Sequence, residues 1–313
     1  MRKLIWFLLA LILLHPLLSS AAEKKGLGII AENLPVKPYL KGTKLLSVAA
    51  LPSAFDWRNH NGRNFISSVK YQGSCGSCFA FVTVAALESR LLIGEKPDLD
   101  LSEQIVLSLS GAGDCSGGLI SRASEFLKNV GDTNESCWPY QAADEPATSV
   151  CEGWEENAYR FYKWNWVYPV NDPETLKRII YFQGPAVVIF KAFTDLYYYK
   201  GGIYTHEYGE FEGYHAVLLV GWDDTIGAFI AKNSWGKNWG ESGFIQVAYS
   251  EVAGITDFGF QTFFYGDAYF AGNVEPDSGD GDDSLPGEAA AASSDGGGCF
   301  IDTAAFGSPV KEN

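Results

Sequence analysis

The stretch "YQGSCGSCFAFVTVAALESRLL", residues 71–92, sets two cysteines three positions apart among small residues and follows them with a long apolar run free of proline. From 78 to 93 apolar side chains fall almost all round a helical wheel, the pattern of a helix sunk in a core rather than laid on a surface. Ser77 stands where such a helix takes its N-cap. Cys78 is then expected at the mouth of a buried helix, where unpaired amides and the helix dipole favour a thiolate. One reading of Cys75 and Cys78 is a reversible redox pair. A second reading uses "DCSGG" at 114–118, which offers Cys115 to Cys75 and leaves Cys78 as a free thiol.

The segments after this helix are helical at first. "LSEQIVLSLS" at 101–110 begins like a helix capped by Ser102, and "EFLKNV" at 125–130 continues a third that ends at Gly131. Further on, "GPAVVIF", "YHAVLLVGW", "GAFIAKNSWG", "GFIQVAYS" and "FQTFFYG" are short β-branched and aromatic runs separated by glycines. These read as strands of an antiparallel sheet or barrel. Helices first and strands later predict an α+β fold in two lobes, with a functional cleft between them.

The 313 residues are 47% hydrophobic, enough for one large domain or two packed halves. A net charge of −15 argues against nucleic acid as a partner, because phosphate recognition needs a basic footprint. Residues 1–22 join a basic start, an apolar run and a Ser-Ser-Ala-Ala end, which predicts a signal peptide cleaved after Ala22 and an exported chain, secreted, periplasmic or at the cell surface. No later segment is long enough to span a bilayer. Residues 23–50 read as a short leader or N-terminal strap, 51–270 as the folded domain, and 271–298 as an acidic linker rich in Gly, Ser and Ala. An apolar box around Cys299 occupies 299–313, where surface attachment or an intermolecular disulfide is expected.

A nucleophilic thiolate works best with a base beside it and a third group that orients the base. Of the four histidines, His15 leaves with the signal peptide, and His60 and His206 fall in polar loops. His215 opens the apolar strand "HAVLLVGW", and "KNSWGKNWG" then supplies Asn233 with two tryptophans to shield it.

Residues 51–270 resemble the papain-like cysteine peptidases. "QGSCGSCFAF" is similar to that family's nucleophile block, "HAVLLVGW" to its histidine block and "KNSWGKNWGESGF" to its asparagine block, while "CSGG" and "GGIY" match two shorter motifs. The resemblance implies a helical lobe and an antiparallel β-barrel-like lobe flanking the cleft, and a thiol peptidase acting on peptide or protein substrates with no cofactor and no metal. Cys78 would be the nucleophile, ion-paired with His215. Asn233 would orient the ring and Gln72 would complete an oxyanion hole with the Cys78 amide. Gly118, with Gly117, would hold the substrate backbone, and Trp235 would cover Asn233. Ile120 and Ile189 fall near the family's second specificity pocket, or are ordinary core residues. Cys75–Cys115 and Cys137–Cys151 are the expected disulfides.

Phe79 stands where many relatives carry tryptophan, and residues 23–50 are too few to build the family's long helical propeptide. No histidine pair follows "CWPY" to form an exopeptidase loop, so endopeptidase action is expected. A catalytically silent binding or scaffold protein of the same fold is the alternative.

Overall fold

A computed structural model describes residues 25–37, 50–96 and 99–273. The expected signal peptide, nearly all of the acidic linker and the box around Cys299 lie outside those residues.

Helix α1, Cys78–Ile93, is buried continuously from Cys78 to Leu91. A helix without a wet face must satisfy each polar side chain internally. Glu88 accepts the Leu101 amide at 2.9 Å and the Ser67 hydroxyl. Arg90 donates to the carbonyls of Gly266 and Gln183 and pairs with Asp267. The hydroxyls of Thr83 and Ser89 turn back onto the carbonyls of Phe79 and Ala85. Helices α2, Glu103–Leu109, and α3, Ile120–Asn129, pack on α1, and Ser102 caps α2 by accepting the Ile105 amide at 3.2 Å. Helix α3 begins earlier than the sequence pattern indicated, because Ile120, Ala123, Ser124 and Leu127 share its one buried face.

Among the described residues, twelve strands follow or flank these helices. They are β1 Ala54–Asp56, β2 Gly113–Asp114, β3 Gly117–Gly118, β4 Tyr159–Phe161, β5 Trp164–Val167, β6 Ala186–Phe193, β7 Ile203–Tyr204, β8 Phe211–Asp223, β9 Ala228–Lys232, β10 Phe244–Ala248, β11 Gln261–Tyr265 and β12 Ala268–Phe270. The main sheet runs β5-β11-β6-β8-β9-β10-β7, with β1 also on β8. Its pairings are antiparallel except β7 on β10. The expected barrel-like lobe is therefore an open sheet: its two ends, β5 and β7, do not pair, and β7 is only two residues long.

One helix interrupts the β half. Helix α4, Pro173–Gln183, starts on Asp172, whose side chain accepts the Thr175 amide at 2.9 Å, and stops at Gly184. Its apolar residues Leu176, Ile179 and Ile180 join α1, β6 and β8 in one continuous core. A small satellite cluster of Ile105, Trp138, Trp154 and Ala158 anchors the loop that carries residues 137–151.

Candidate active site

Strand register brings distant residues of the chain together. Helix α1 lies across β8, so Cys78, its first residue, faces the strand that carries His215. In β8 and β9, Leu218 pairs with Lys232, so the chain leaving β9 at Asn233 runs past His215. His215 Nε2 lies 2.8 Å from Asn233 Oδ1, which also accepts the Ser234 amide at 2.8 Å. Since Oδ1 can only accept, Nε2 carries the proton and Nδ1 keeps its lone pair. That buried Nδ1 has no hydrogen-bond partner among the described residues. Trp235 stacks on the His215 ring at 4.7 Å, and Tyr197 stacks on Trp235 at 5.5 Å. Trp235, expected to cover Asn233, forms a buried wall against the imidazole, 2% exposed.

Gln72 is fully buried and held at nearly every polar atom. Its amide donates to Ser234 O at 2.9 Å, and its carbonyl accepts the Tyr140 hydroxyl at 3.0 Å. Its Oε1 accepts Ser234 Oγ, and Nε2 donates to Cys75 O at 2.8 Å and to Gly26 O at 3.1 Å. The disulfide Cys75–Cys115 ties this loop to β2 and β3, and Gly76 N donates to Cys115 O at 2.8 Å beside it. Cys137–Cys151 closes the neighbouring loop, and Cys78 is the free thiol among the described residues.

The acceptor at Gly26 belongs to the N-terminal segment, which fills the groove above Cys78. Gly26 N donates to Gly73 O at 3.1 Å, Gly118 N to Gly28 O at 2.8 Å, Ile29 N to Tyr214 O at 3.3 Å and Ile30 N to Gly118 O at 3.0 Å. Ile29 thereby pairs in parallel with Gly118. Beyond this, Gln261 grips the backbone of Glu32 with both ends of its amide, and Glu32 Oε1 accepts the Ser121 amide of α3 at 2.9 Å. Lys37 exchanges backbone bonds with Tyr168 at 2.8 and 3.1 Å and lies over the Trp166 ring. Only glycine fits where this strap crosses the nucleophile loop: a Cβ on Gly28 would overlap the Gly76 carbonyl oxygen, and one on Gly26 the Cys75 carbonyl oxygen.

The strap changes the electrostatics of the pair. Burial pushes the Cys78 thiol up to about 12, against the opposite pull of amides from Ala216, Gly28, Phe79 and Cys78 itself. Burial likewise pushes His215 down to about 4, although the Asn233 bond favours the charged ring. In this closed form burial favours the neutral form of each group, opposite to the thiolate–imidazolium pair expected from the helix terminus. Desolvation of two fully buried groups outweighs dipole and amides, because the charged forms have lost their water. The direction of the Ala216 and Gly28 amides nevertheless puts the sulfur between β8 and the strap.

The remaining expected residues divide. Gly117 and Gly118 form β3 directly under Gly28 and Ile29. Ile120 and Ile189 are wholly buried in the core cluster that also takes in Ile29 of the strap. His60 and His206 lie away from Cys78; His206 pairs with Asp195 at 3.0 Å and stacks on Phe193. Sequence reasoning missed Ser234 and Tyr140, which position Gln72; both sit inside motifs already singled out, "KNSWG" and "CWPY".

Residues 51–261 match the family model described as papain family cysteine protease. Among curated proteins, the chain is 34% identical over 215 residues to the cathepsin B-like CP3 of Giardia intestinalis, covering 64% of this chain and 71% of that one. Among solved structures, proCathepsin B S9 from Trypanosoma congolense superposes with a TM-score of 0.66 at 25% identity, over 79% of this chain and 87% of that one. The bromelain protease from Ananas comosus, in complex with the E64 inhibitor, gives a TM-score of 0.58 at 30% identity, over 69% of this chain and 99% of that one. Curated relatives such as these are covered over 52% to 71% of their own length.

Proposed function

The chain belongs to the papain family of cysteine proteases, and from that premise we propose that it is an exported endopeptidase, held latent by its own strap, that hydrolyses peptide bonds through Cys78. The observation that carries the reading is the His215–Asn233 bond of 2.8 Å. It fixes the imidazole tautomer so that Nδ1, the lone-pair nitrogen, is the one left to exchange a proton with the thiol.

With the strap displaced, a peptide lies along Gly118 and directs its scissile carbonyl oxygen at Gln72 Nε2 and the Cys78 amide. Water re-enters, and the thiol proton passes to His215 Nδ1. The sulfur attacks the carbonyl carbon, a C–S bond forms, and the carbonyl electron pair moves to the oxygen held by the two donors. As the carbon–nitrogen bond breaks, His215 hands its proton to the leaving amine. Water, deprotonated by the same nitrogen, then attacks the thioester; the C–S bond breaks and a carboxylic acid leaves. Asn233 keeps the ring in line through both steps, and Trp235 shields that bond from solvent.

The strap escapes this chemistry through its direction. An acyl donor bound in this way runs from Gly118 toward Gln72, whereas the strap reaches Gln72 at Gly26 first and Gly118 at Ile29 afterwards. The buried Ile29 side chain of the strap supports an apolar substrate residue at the place it holds beside Gly118. Two disulfides and the signal-like residues 1–22 support export. The lack of a histidine pair after "CWPY" supports cleavage within chains rather than at their ends.

The test is turnover of a fluorogenic peptide library by the purified chain under mild reductant, with Cys78→Ser and an epoxide thiol inhibitor as controls. Turnover abolished in both controls is the expected result. A strap-free chain in which Cys78 accepts the epoxide but no peptide is cut would leave a binding protein on the same fold.

A further inference from the structure

We propose that the groove beyond Gly118 carries a subsite for an acidic residue of the substrate, built on the Ser121 amide at the head of α3 beside the buried side chain of Gln261, and held in the closed chain by Glu32 of the strap. The inference rests on the peptidase reading above, whose substrate it specifies.

The strap shows what the place accepts. Glu32 Oε1 takes the Ser121 amide at 2.9 Å. That amide belongs to the second residue of α3, a ten-residue helix whose cap position is Leu119, a side chain with no acceptor. Ser102 and Asp172 supply an oxygen to the first turns of α2 and α4, whereas α3 obtains its own from a segment 89 residues away in the chain. A carboxylate at this point meets an unpaired helical amide and the positive end of the helix dipole together.

Gln261 is a second and independent mark of a ligand. It is 1% exposed, and among the described residues the bonds of its side chain go to the strap: Oε1 accepts the Glu32 amide at 3.3 Å and Nε2 donates to the Glu32 carbonyl. When the strap leaves, both ends of a buried amide lose their partners, which costs stability unless another chain restores them. An extended peptide offers the same N–H and C=O, so Gln261 can hold the backbone of a residue whose side chain meets Ser121. The acidic residue one turn along α3 does not contest the place: Glu125 is already engaged by Lys128, Asn129 and Trp164.

The place lies on the acyl side of the site. The strap passes Gly118 at Ile29 and Ile30 and meets Ser121 three residues after Ile29. A substrate running the other way along Gly118 brings there a residue about two to four positions upstream of the one it sets beside Gly118.

The test uses the full chain carrying Gly28→Ala and Glu32→Ala, which loosens the strap and removes its own carboxylate from the subsite. Fluorogenic peptides with Glu, Gln or Ala at each of those upstream positions, alike in all else, are compared by KM and kcat. Their binding to the same chain with Cys78→Ser is followed by fluorescence anisotropy. Glu is expected to lower KM and the dissociation constant about threefold to tenfold against Ala at one of the positions, with Gln between them, the size of a helix-cap bond to a charged acceptor. kcat should stay within about twofold, since the contact is the same in the ground and transition states. Leu119 already has the extended backbone of a cap, so Leu119→Ser gives α3 a neutral oxygen of its own and should bring Glu back to the level of Ala. Glu no better than Ala at every position would overturn the proposal, and so would a Glu preference that Leu119→Ser leaves intact. Should Leu119→Ser fold poorly, the peptide comparison decides by itself. A chain that binds the Glu peptide best and yet cuts none of the peptides would sink the peptidase reading and leave this one standing.

Discussion

Replacing Gly28 with alanine is the most direct way to ask whether the strap governs access to Cys78. Gly28 is not among the glycines of positive φ, so alanine meets no backbone strain there. The whole effect comes from its Cβ, which cannot coexist with the Gly76 carbonyl oxygen. The strap must lift locally, and the bonds that lie in register with Gly28 go with it: Gly118 N to Gly28 O at 2.8 Å, Ile30 N to Gly118 O at 3.0 Å and Ile29 N to Tyr214 O at 3.3 Å. At a net ~0.5–1.5 kcal/mol each, these amount to about 1.5–4.5 kcal/mol. One factor of ten accompanies each ~1.4 kcal/mol, so the open fraction should rise by about tenfold to a thousandfold. The assay is the second-order rate of Cys78 capture by an epoxide, with peptide turnover in parallel. Ile30→Ala, which trims an exposed side chain on the same strap, serves as the control and should change neither. A folded Gly28→Ala chain captured no faster than wild type would refute the idea that the strap is the gate.

Gln261→Ala removes both side-chain bonds to the Glu32 backbone, and it should raise basal epoxide capture by about tenfold, from two hydrogen bonds of ~0.5–1.5 kcal/mol each. Asn233→Ala should lower kcat by about tenfold or more with KM little changed, well short of the ~100- to 10,000-fold attributed to general acid–base transfer itself; steady-state kinetics on a strap-weakened chain measures it. For pH, the sign follows from His215, which resists protonation down to about 4 in the closed fold while an unfolded chain takes the proton near 6.5. Stability on this account is full above 6.5 and is lost as pH falls toward 4, by about 3 kcal/mol. His215→Gln should flatten that part of the urea-unfolding profile relative to wild type. Breaking Cys75–Cys115, which spans 40 residues, should cost about 4 kcal/mol in the same unfolding experiment.

The parts of the molecule legible in the sequence are those where side chains carry the signal. Helix α1 was readable because apolar residues surround it, and the strands β6, β8, β9, β10 and β11 because β-branched and aromatic runs end at glycines. Cys78, His215, Asn233 and Gln72 stood out as residue types in recognisable blocks. Helix α4 was hidden among those aromatic runs, although Asp172, Pro173 and Gly184 mark its ends. The path of the strap could not be read, since Gly26 and Gly28 are recognised through their backbone and by the lack of a side chain. Nor could the protonation of the pair. A helix terminus predicts a lowered thiol, whereas complete burial pushes it up, and that burial depends on where a distant segment of chain lies. Tyr140 falls in the same class: its bond to the Gln72 carbonyl is made across the fold, between segments far apart in sequence.

Cys78 sits in a chain with contradictory redox needs. Two disulfides must form around it, one of them from a cysteine only three residues away, while its own sulfur must stay reduced. Accessible thiolates attack oxidants and stray disulfides, whereas under the strap Cys78 is fully buried and burial pushes its thiol up, away from the thiolate. If the segment keeps peptides out as proposed, it is also a preservative. It would let the chain mature where cystines form, and the sulfur would begin to age only when the groove is first uncovered.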